Sequence, residues 1–338
     1  MSKDKKILIY ISKNYKNLDT SAQSLCTIYG INVNWTKTEL LKNIFNLKIF
    51  NTKKIFFLGR QNKSVTLLFL SLLLRLMSFQ TIFDMRYFRS DKLCINYYHK
   101  LIYDFFDFIT IKLSSGLVVE TEAQKKRLSK KKTTYVFHPI KMSSSLNPKK
   151  FGLENVDKEE TIKLNKFQIF KPYFLLRALP SQENNEKYIV YSYYNFKRNI
   201  DFDTQLVWVH GIKKPQKNYK GVVMIGNINE KSLSLISRNC IAFIGQWELT
   251  QRIFLTIPHR FYEALSFGKP ILQPITNQQQ NLKKETFTNI VDLKSQMLEL
   301  MKKKYSYKNF DKLKILNYSF YLKNLDNFES FKNDFKIS

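Results

Sequence analysis

The sequence predicts an α/β protein with two doubly wound parallel sheets, one in each half of the chain. Its 338 residues are enough for two domains of about 150 residues each. In both halves, short apolar runs alternate with longer segments of helical periodicity. A polar stretch without such a pattern, residues 141–171, separates the halves and suits a linker. Alternating strands and helices with short connections are typical of parallel sheets with crossover helices.

The first half contains six predicted strands and three predicted helices. The strands are Lys6–Ser12, Ile31–Trp35, Lys54–Leu58, Thr81–Phe83, Gly116–Glu120 and Thr133–Phe137, and the helices are Val65–Phe79, Lys92–Leu113 and Thr121–Leu128. The long helix carries apolar residues at helical spacing, among them Leu101, Phe105 and Phe108. These elements predict one doubly wound domain over residues 1–150.

The second half repeats the alternation. Its predicted strands are Tyr173–Leu176, Gln205–His210, Gly221–Gly226, Cys240–Gly245 and Pro270–Gln273, and its predicted helices are Glu183–Phe196, Ser232–Asn239 and Pro258–Phe267. We therefore expect a linker over residues 151–171, a second domain over 172–315, and a C-terminal helix over 316–338. Two such domains place a ligand in the cleft between them, at the carboxyl ends of the strands.

The charge balance predicts an anionic partner. Lys and Arg number 56 against 27 for Asp and Glu, which gives a formal net charge of +29. Such a field attracts anionic lipid, phosphorylated substrates or nucleic acid. A bias toward A/T-rich codons, which favours lysine, is an alternative source of the positive charge. We expect a membrane surface before nucleic acid, because no helix-turn-helix, zinc-finger or RNA-recognition signature is present.

The expected compartment is the cytoplasm. Cys26, Cys94 and Cys240 lie far apart without CxxC spacing, so we expect neither a disulfide framework nor a zinc site. The N-terminus lacks the apolar region and cleavage site of a signal peptide. The apolar run Val65–Phe79 is shorter than the ~20 residues that span a bilayer. It suits a helix buried on a sheet or, less well, one in a membrane interface, and we expect peripheral attachment to the inner face of the membrane.

The most informative segment is Thr256–Leu272, TIPHRFYEALSFGKPIL. Pro258 suits a first helical turn, where its missing N–H removes no bond. Phe261, Ala264 and Leu265 have the spacing of a core face, and Gly268 is a helix C-cap. The free N–H groups of the helix start bind phosphate readily, and Glu263 has two oxygens that accept hydrogen bonds from a ribose diol.

This segment resembles the P-x-[KR]-x-x-E-x-x-x-x-G-K-P motif of GT-B glycosyltransferases, especially glycosyltransferase family 4. The resemblance implies two Rossmann-like domains and transfer of a sugar from a nucleotide-diphosphate donor. It also implies that Glu263 binds the donor ribose and that the loop and helix start around Thr256 bind the diphosphate. The nucleotide sugar is the substrate, so no cofactor is expected. Family members generally need no metal, and basic groups such as Arg260 and Arg252 offset the charge of the diphosphate instead.

Tyr173–Asn185, YFLLRALPSQENN, resembles the first strand, loop and helix of the donor domain in a bacterial subgroup that includes rhamnosyltransferases. The resemblance implies that Arg177 binds the diphosphate, with Lys187 as a substitute for the lysine that the family places nearby. It also favours a deoxyhexose or hexose donor and an acceptor glycan or lipid-linked glycan of bacterial surface polysaccharide synthesis.

Candidates for the acceptor side come from looser matches. TIFDMRYFRSD resembles the family's strand and turn that face the acceptor, and Asp84 is the candidate catalytic base, with a helix or turn cap as the alternative role. His138, after a predicted strand, is a candidate for binding donor or acceptor oxygens. His210 is a candidate for the region of the nucleotide base.

Two departures from the family pattern keep alternatives open. The position eight before Glu263 is Leu255, where the family has a second glutamate, and Glu248 lies at a different spacing. The first predicted strand also lacks the glycine-rich turn of the family. A catalytically inactive GT-B scaffold is therefore one alternative, and a basic nucleic-acid-binding protein is another. Turnover of the donor by the purified chain distinguishes the enzyme from both alternatives.

Overall fold

The structure is a computed structural model. The described residues are 7–12, 33–36, 54–58, 65–85, 97–129, 132–137, 163–178, 185–200, 203–211, 218–226, 228–247, 259–274, 292–302 and 307–335. All eleven described strands belong to two parallel sheets, as the sequence predicts.

The first sheet has six strands in the order β2-β1-β3-β4-β5-β6. The strands are β1 (Ile7–Ser12), β2 (Val33–Thr36), β3 (Lys54–Leu58), β4 (Gln80–Asp84), β5 (Gly116–Val119) and β6 (Thr134–Val136). The helices of this half are α1 (Val65–Leu76), α2 (Tyr97–Leu113) and α3 (Glu122–Ser129). Residues of β5 and β6 are buried throughout, which explains why these strands appear in the sequence as continuous apolar runs.

The second sheet has five strands in the order β11-β10-β7-β8-β9. They are β7 (Tyr173–Arg177), β8 (Gln205–Val209), β9 (Val222–Ile225), β10 (Ala242–Ile244) and β11 (Ile271–Leu272). The remaining helices are α4 (Glu186–Lys197), α5 (Glu230–Asn239), α6 (His259–Ser266), α7 (Leu293–Lys302) and α8 (Tyr307–Phe335). The strand order reverses between β7 and β10, which is where doubly wound sheets bind their ligands.

The chain divides into two compact units. Among the described residues, the first unit holds β1–β6, α1–α3 and α8 from Phe320 onward. The second unit holds β7–β11, α4–α7 and α8 as far as Ser319. The last residues of the predicted linker pack on the second sheet, since Gln205 Oε1 accepts hydrogen bonds from the backbone N–H groups of Phe170 (2.9 Å) and Lys171 (3.0 Å). The exact domain boundaries stay a prediction.

Each unit has its own apolar core. In the first unit, β3, β4 and β5 contribute Phe56, Phe83 and Leu117, and α1 contributes Leu70 and Leu74. In the second unit, Phe174, Trp208 and Ile244 of the sheet pack against residues of α4 and α7. Trp208 Nε1 donates to the carbonyl of Ala178 over 2.8 Å, so its one polar atom is satisfied inside this core.

Helix α1 ends earlier than the apolar pattern predicts. Ser78 adopts a left-handed conformation (φ 64°), and two backbone bonds close the helix there. Phe79 N–H donates to Leu74 O over 2.9 Å, and Ser78 N–H donates to Arg75 O over 2.9 Å. This is a Schellman cap with serine where glycine is usual, so composition alone did not indicate the stop.

The end of α8 packs on the first sheet. Phe331 and Phe335 lie against Tyr135 of β6, with ring centroids 5.0 and 5.9 Å apart. The Tyr135 hydroxyl donates to Asp334 Oδ2 over 2.5 Å, and burial together with this bond raises the pKa of Tyr135. No helix in the described part of the chain is both long enough and apolar enough to cross a bilayer.

Candidate functional site

The candidate site lies at the carboxyl ends of β7 and β10, in the second unit. Leu176 of β7 and Ile244 of β10 are register partners, so the residues that follow them leave the sheet side by side. Arg177 is the last residue of β7, and Gly245 follows β10 directly. Helix α6 comes next in this unit and supplies Arg260 and Glu263. The site therefore coincides with the reversal of strand order.

Helix α6 is held rigidly on the sheet. Phe261, Ala264 and Leu265 have no exposed surface, which confirms the predicted core face. Gly268 has φ 63°, and Lys269 N–H and Gly268 N–H donate to Ala264 O and Leu265 O, each over 2.9 Å. This Schellman cap confirms the predicted stop at Gly268. A helix buried on the sheet and closed at its end fixes the direction of its polar side chains.

Arg177 and Glu263 form an ion pair. Arg177 Nη1 donates to Glu263 Oε1, and the two residues lie 86 positions apart in the sequence. The glutamate side chain is 6% exposed, whereas the arginine side chain is 36% exposed. Solvent reaches the pair through the arginine, and this screening limits what the pair adds to stability.

Arg260 lies beside this pair. Its Nη1 donates to the carbonyl of Gly245 over 3.2 Å, which anchors the first turn of α6 to the end of β10. Burial lowers the pKa of Arg260 to about 10; Arg177 acts in the same direction, and Glu263 opposes it. Arg260 therefore keeps its charge at neutral pH. Two guanidinium groups and one carboxylate leave one surplus positive charge in this cluster, which favours an anionic ligand.

The neighbouring strand ends are packed without spare room. A Cβ at Gly245 would overlap the side chain of Gln273, so glycine is required there. Gln273 follows β11, and its carbonyl accepts a bond from Gln296 Nε2 of α7 over 3.0 Å. Trp247 Nε1 donates to the carbonyl of Leu272 over 3.1 Å. These bonds hold the strand ends that carry the candidate site.

His210 lies at the end of β8, in the same unit, and is buried. Its backbone N–H donates to Ile225 O over 2.9 Å, and its ring stands edge-on to Trp208 with centroids 6.3 Å apart. Burial lowers the pKa of His210, so the imidazole is neutral at pH 7. A neutral imidazole suits recognition of an uncharged group such as a nucleotide base, and the predicted role of His210 stays a prediction.

The structure shows less about the other predicted site residues. Lys187 is an exposed residue in the first turn of α4. Thr256, His138 and Glu248 lie outside the described residues, as do Leu255 and Arg252. The structure therefore brings together Arg177, Arg260 and Glu263 out of the predicted set.

The first unit carries two buried carboxyl groups at neighbouring strand ends. Asp84 ends β4 and is 4% exposed, while Glu120 follows β5 and has no exposed surface. The backbone N–H groups of Glu120 and Thr121 donate to Gln124 Oε1 over 2.8 and 3.2 Å, which forms a capping box at the start of α3. Sequence reasoning named Asp84 but not Glu120. The missed signal was an acid that ends an apolar run directly before the T-x-x-Q of a capping box.

Metal ligands do not cluster in the described part of the chain, where no group of three His, Cys, Asp or Glu side chains could hold an ion. Cys240 is buried in the second unit, and burial raises the pKa of its thiol to about 12. This thiol is therefore a core group and not a nucleophile.

Comparison with known proteins identifies the fold. No family model matches the chain, and no curated protein sequence matches it. Among solved structures, the chain is similar to HepE of Anabaena, which was solved in complex with UDP and glucose. The TM-score is 0.62 at 8% identity, and the alignment covers 97% of this chain and 100% of HepE.

Two trehalose-phosphate synthases are also similar. The UDP-forming enzyme of Burkholderia xenovorans, solved with glucose-6-phosphate, gives a TM-score of 0.57 at 7% identity, over 86% of this chain and 72% of that enzyme. The enzyme of Burkholderia multivorans gives 0.57 at 9% identity, over 95% and 80%. The chain therefore has the GT-B fold of two Rossmann-like domains. At these identities the comparison shows the fold alone, and membership of glycosyltransferase family 4 stays a prediction.

Proposed function

We propose that this protein is a glycosyltransferase that takes its sugar from a nucleotide-diphosphate donor. The observation that carries the proposal is the cluster of Arg177, Arg260 and Glu263 at the reversal of strand order in the second sheet. Structural neighbours with the same fold were solved with UDP or are named UDP-forming, which makes UDP the first nucleotide to test. Fold alone does not define an activity, so the proposal rests on the residues of this cluster.

The two arginines suit the diphosphate. Arg177 is exposed enough to contact a ligand, and a guanidinium binds two phosphate oxygens at once. Arg260 lies close enough for the charge of Arg177 to act on it, and it adds a second positive charge to the site. As the bond between sugar and diphosphate breaks, negative charge grows on the leaving group. We propose that fixed guanidinium groups stabilise this charge, without a requirement for a metal ion.

Glu263 suits the ribose. An ionised carboxylate offers about four acceptor positions, and Arg177 uses Oε1. We propose that this carboxylate also accepts hydrogen bonds from the two ribose hydroxyls. In this proposal Arg177 links the two parts of the donor, because it contacts the diphosphate and orients the carboxylate that holds the ribose.

We further propose Asp84 as the base that activates the acceptor hydroxyl, with an acceptor glycan or lipid-linked glycan at the inner face of the cell membrane. Asp84 lies at a strand end of the first unit and is 4% exposed. The rhamnosyltransferase-like segment around Arg177 supports a deoxyhexose or hexose as the transferred sugar and a bacterial surface polysaccharide as the product. Lys187 and Thr256 stay proposed donor contacts. His138, His210 and Glu248 stay candidate residues of the site.

Thermal shift with a panel of nucleoside diphosphates and their sugars tests donor binding. A ligand that binds only the folded protein raises the melting temperature. We expect one nucleotide class to stabilise the wild type and to lose this effect in Glu263→Ala. Asp203→Ala is the matched control, because it removes an exposed carboxylate paired with Lys171 in the same unit. Equal shifts in both variants, or no shift with any nucleotide, would contradict the proposal.

The inactive scaffold is the second candidate, and Leu255 in place of a family glutamate favours it. A scaffold of this kind keeps nucleotide binding but consumes no donor. Binding to heparin or DNA that persists at moderate salt, together with no nucleotide binding, would instead favour the nucleic-acid-binding alternative.

A further inference from the structure

Helix α2 buries few of its residues and leaves a row of large apolar side chains exposed. Asp107 and Thr110 are its two buried residues, and Thr110 Oγ1 donates to Phe106 O over 2.7 Å within the helix. On the opposite side, Phe105 is 60% exposed and Phe108 is 54% exposed. Leu101, Phe105, Phe108 and Lys112 follow one another at i, i+4, i+7 and i+11, which forms a single line along the helix. Ile111 still packs on the core of the first unit, so α2 has apolar residues on its exposed side in addition to those that contact the core.

Helix α1 continues the same surface. Its inner side packs into the core through Leu70 and Leu74, whereas Phe69, Leu72 and Leu76 are exposed. The two helices are successive crossovers between neighbouring parallel strands, β3 to β4 and β4 to β5, so right-handed connections put them on the same face of the sheet. Arg75 Nη1 donates to the carbonyl of Lys112 over 2.7 Å and ties their ends together.

The exposed apolar side chains concentrate here. Among described residues, thirteen large hydrophobic side chains are exposed, and nine of them lie on these two helices. We define the α1–α2 apolar face by these nine residues: Phe69, Leu72, Leu76, Tyr97, Tyr98, Leu101, Ile102, Phe105 and Phe108. Exposed apolar side chains concentrated on two neighbouring helices indicate an interaction site, whereas single exposed hydrophobics need no explanation.

A basic cluster borders the face at the ends of both helices. Lys112 lies 5.5 Å from the centroid of the Phe108 ring, and Arg75 is bonded to the Lys112 carbonyl. Lys132 is close to this cluster, because the next residue, Thr133, accepts a backbone bond from Leu117 N–H over 3.0 Å in the strand that follows α2. Burial lowers the pKa of Lys132, and the charges of Arg75 and Lys112 lower it further. Three cations at the rim of an aromatic surface, in a chain of net charge +29, match an anionic bilayer, into which apolar side chains insert while Lys and Arg meet headgroups.

We propose that the α1–α2 apolar face docks the protein on an anionic lipid bilayer, with Arg75, Lys112 and Lys132 at the headgroups. Tyr97 and Tyr98 then lie at the start of α2 as the amphipathic residues that membrane interfaces favour. This attachment lies on the surface and does not span the bilayer. It is independent of the proposed sugar transfer, because no residue of the Arg177–Glu263 cluster takes part.

Co-sedimentation of the full chain with vesicles tests the proposal. We expect binding to phosphatidylglycerol-containing vesicles, weak binding to pure phosphatidylcholine, and weaker binding as salt rises. The double variant Phe105→Ser/Phe108→Ser should reduce partitioning by about tenfold or more, because both removed rings are buried only in the bound state. The matched control is Phe170→Ser/Tyr191→Ser, which removes two similarly exposed rings of the second unit and should bind as the wild type does.

Two further variants separate the charge from the apolar contacts. Lys112→Gln/Lys132→Gln should weaken binding to anionic vesicles and reduce the dependence of this binding on salt. Lys220→Gln/Lys302→Gln, in the second unit, should have a smaller effect on both. Phe105→Trp places a reporter in the face without removing apolar area. Its emission should shift to shorter wavelength when anionic vesicles are added, and that of Phe170→Trp should not.

Three results would overturn the proposal. The first is a wild type that stays in solution with anionic vesicles at low salt. The second is binding that Phe105→Ser/Phe108→Ser leaves unchanged, with no spectral shift in Phe105→Trp. The third is a dimer that this double variant dissociates while vesicles bind neither form, which would assign the face to a second copy of the chain.

Discussion

At the scale of single residues, the proposed donor site depends on Arg177, Arg260 and Glu263. The sequence assigned them to one site from a motif and from a separate strand end, and the structure places Arg177 and Glu263 in contact. The sequence did not indicate that Arg177 and Glu263 form an ion pair. Contact between residues 86 positions apart is a tertiary feature that no local pattern contains.

Replacement of Glu263 by glutamine tests its role with little change of shape. We expect UDP binding, measured by titration calorimetry, to weaken by about tenfold to a hundredfold, since a charged acceptor for two hydroxyls is lost. Because Arg177 is exposed on one side, the free energy of unfolding should change by no more than about 1 kcal/mol. Strong loss of stability with unchanged binding would show that Glu263 has a structural role only.

His210 predicts a specific pH dependence of stability. Burial lowers the pKa of His210 from 6.5, so the unfolded chain takes up this proton at a higher pH than the folded protein does. The stability contributed by the neutral imidazole is complete above about pH 6.5 and is lost as the pH falls below it, by at most about 1.4 kcal/mol per pH unit. His210→Gln should therefore lose less stability than the wild type between pH 7 and 5.

Urea unfolding at a series of pH values measures this effect. His99→Gln is the control, because it replaces a histidine that is exposed at the start of α2. The control should keep the pH dependence of the wild type. If His210→Gln keeps it too, the imidazole is not the group that titrates.

At the scale of elements, the sequence predicted the strands well and the surroundings of the helices poorly. Strands buried on both faces, such as β5 and β6, leave continuous apolar runs bounded by polar residues, so their positions are readable. For α2 the helical period was correct, but periodicity shows only that one side is apolar. It does not show whether that side meets a core or another apolar medium, and in the structure it is exposed.

Helix boundaries were predicted where the stop has a usual residue. Gly268 supplied the expected left-handed cap of α6. Ser78 caps α1 in the same conformation, and Asn185 precedes α4 with φ 46°. Neither is glycine, so their positive φ angles depend on tertiary context and were not readable from composition.

The end of α8 offers a test of packing. Phe331 is 1% exposed and packs against both Tyr135 and Phe335, whose ring centroids lie 5.0 and 5.1 Å from its own. Phe331→Ala should lower the free energy of unfolding by about 3–4 kcal/mol, because it removes apolar area and leaves a cavity. Phe170→Ala, which truncates a ring that is 64% exposed, should cost less than about 0.5 kcal/mol in the same urea titration. Similar small losses in both would contradict the packing of α8 on β6.

At the scale of the whole molecule, the fold was predictable because it depends on the order and burial of elements and not on particular residues. HepE shares the fold over the whole of its length at 8% identity, which leaves the apolar pattern as the common determinant. Function depends on a few side chains at defined strand ends, and at this identity the neighbours do not identify the sugar or the acceptor.

The most direct test of the central claim is release of UDP from UDP-sugars by the purified chain. We expect the wild type to release UDP from at least one UDP-sugar in the presence of EDTA, with water in the place of the acceptor hydroxyl. We also expect Glu263→Gln to lower kcat/KM by about tenfold or more, and Asp84→Asn to lower kcat by about a hundredfold while UDP binding persists. A wild type that binds UDP but consumes no UDP-sugar would contradict the proposed transfer and would assign the protein to the inactive scaffolds.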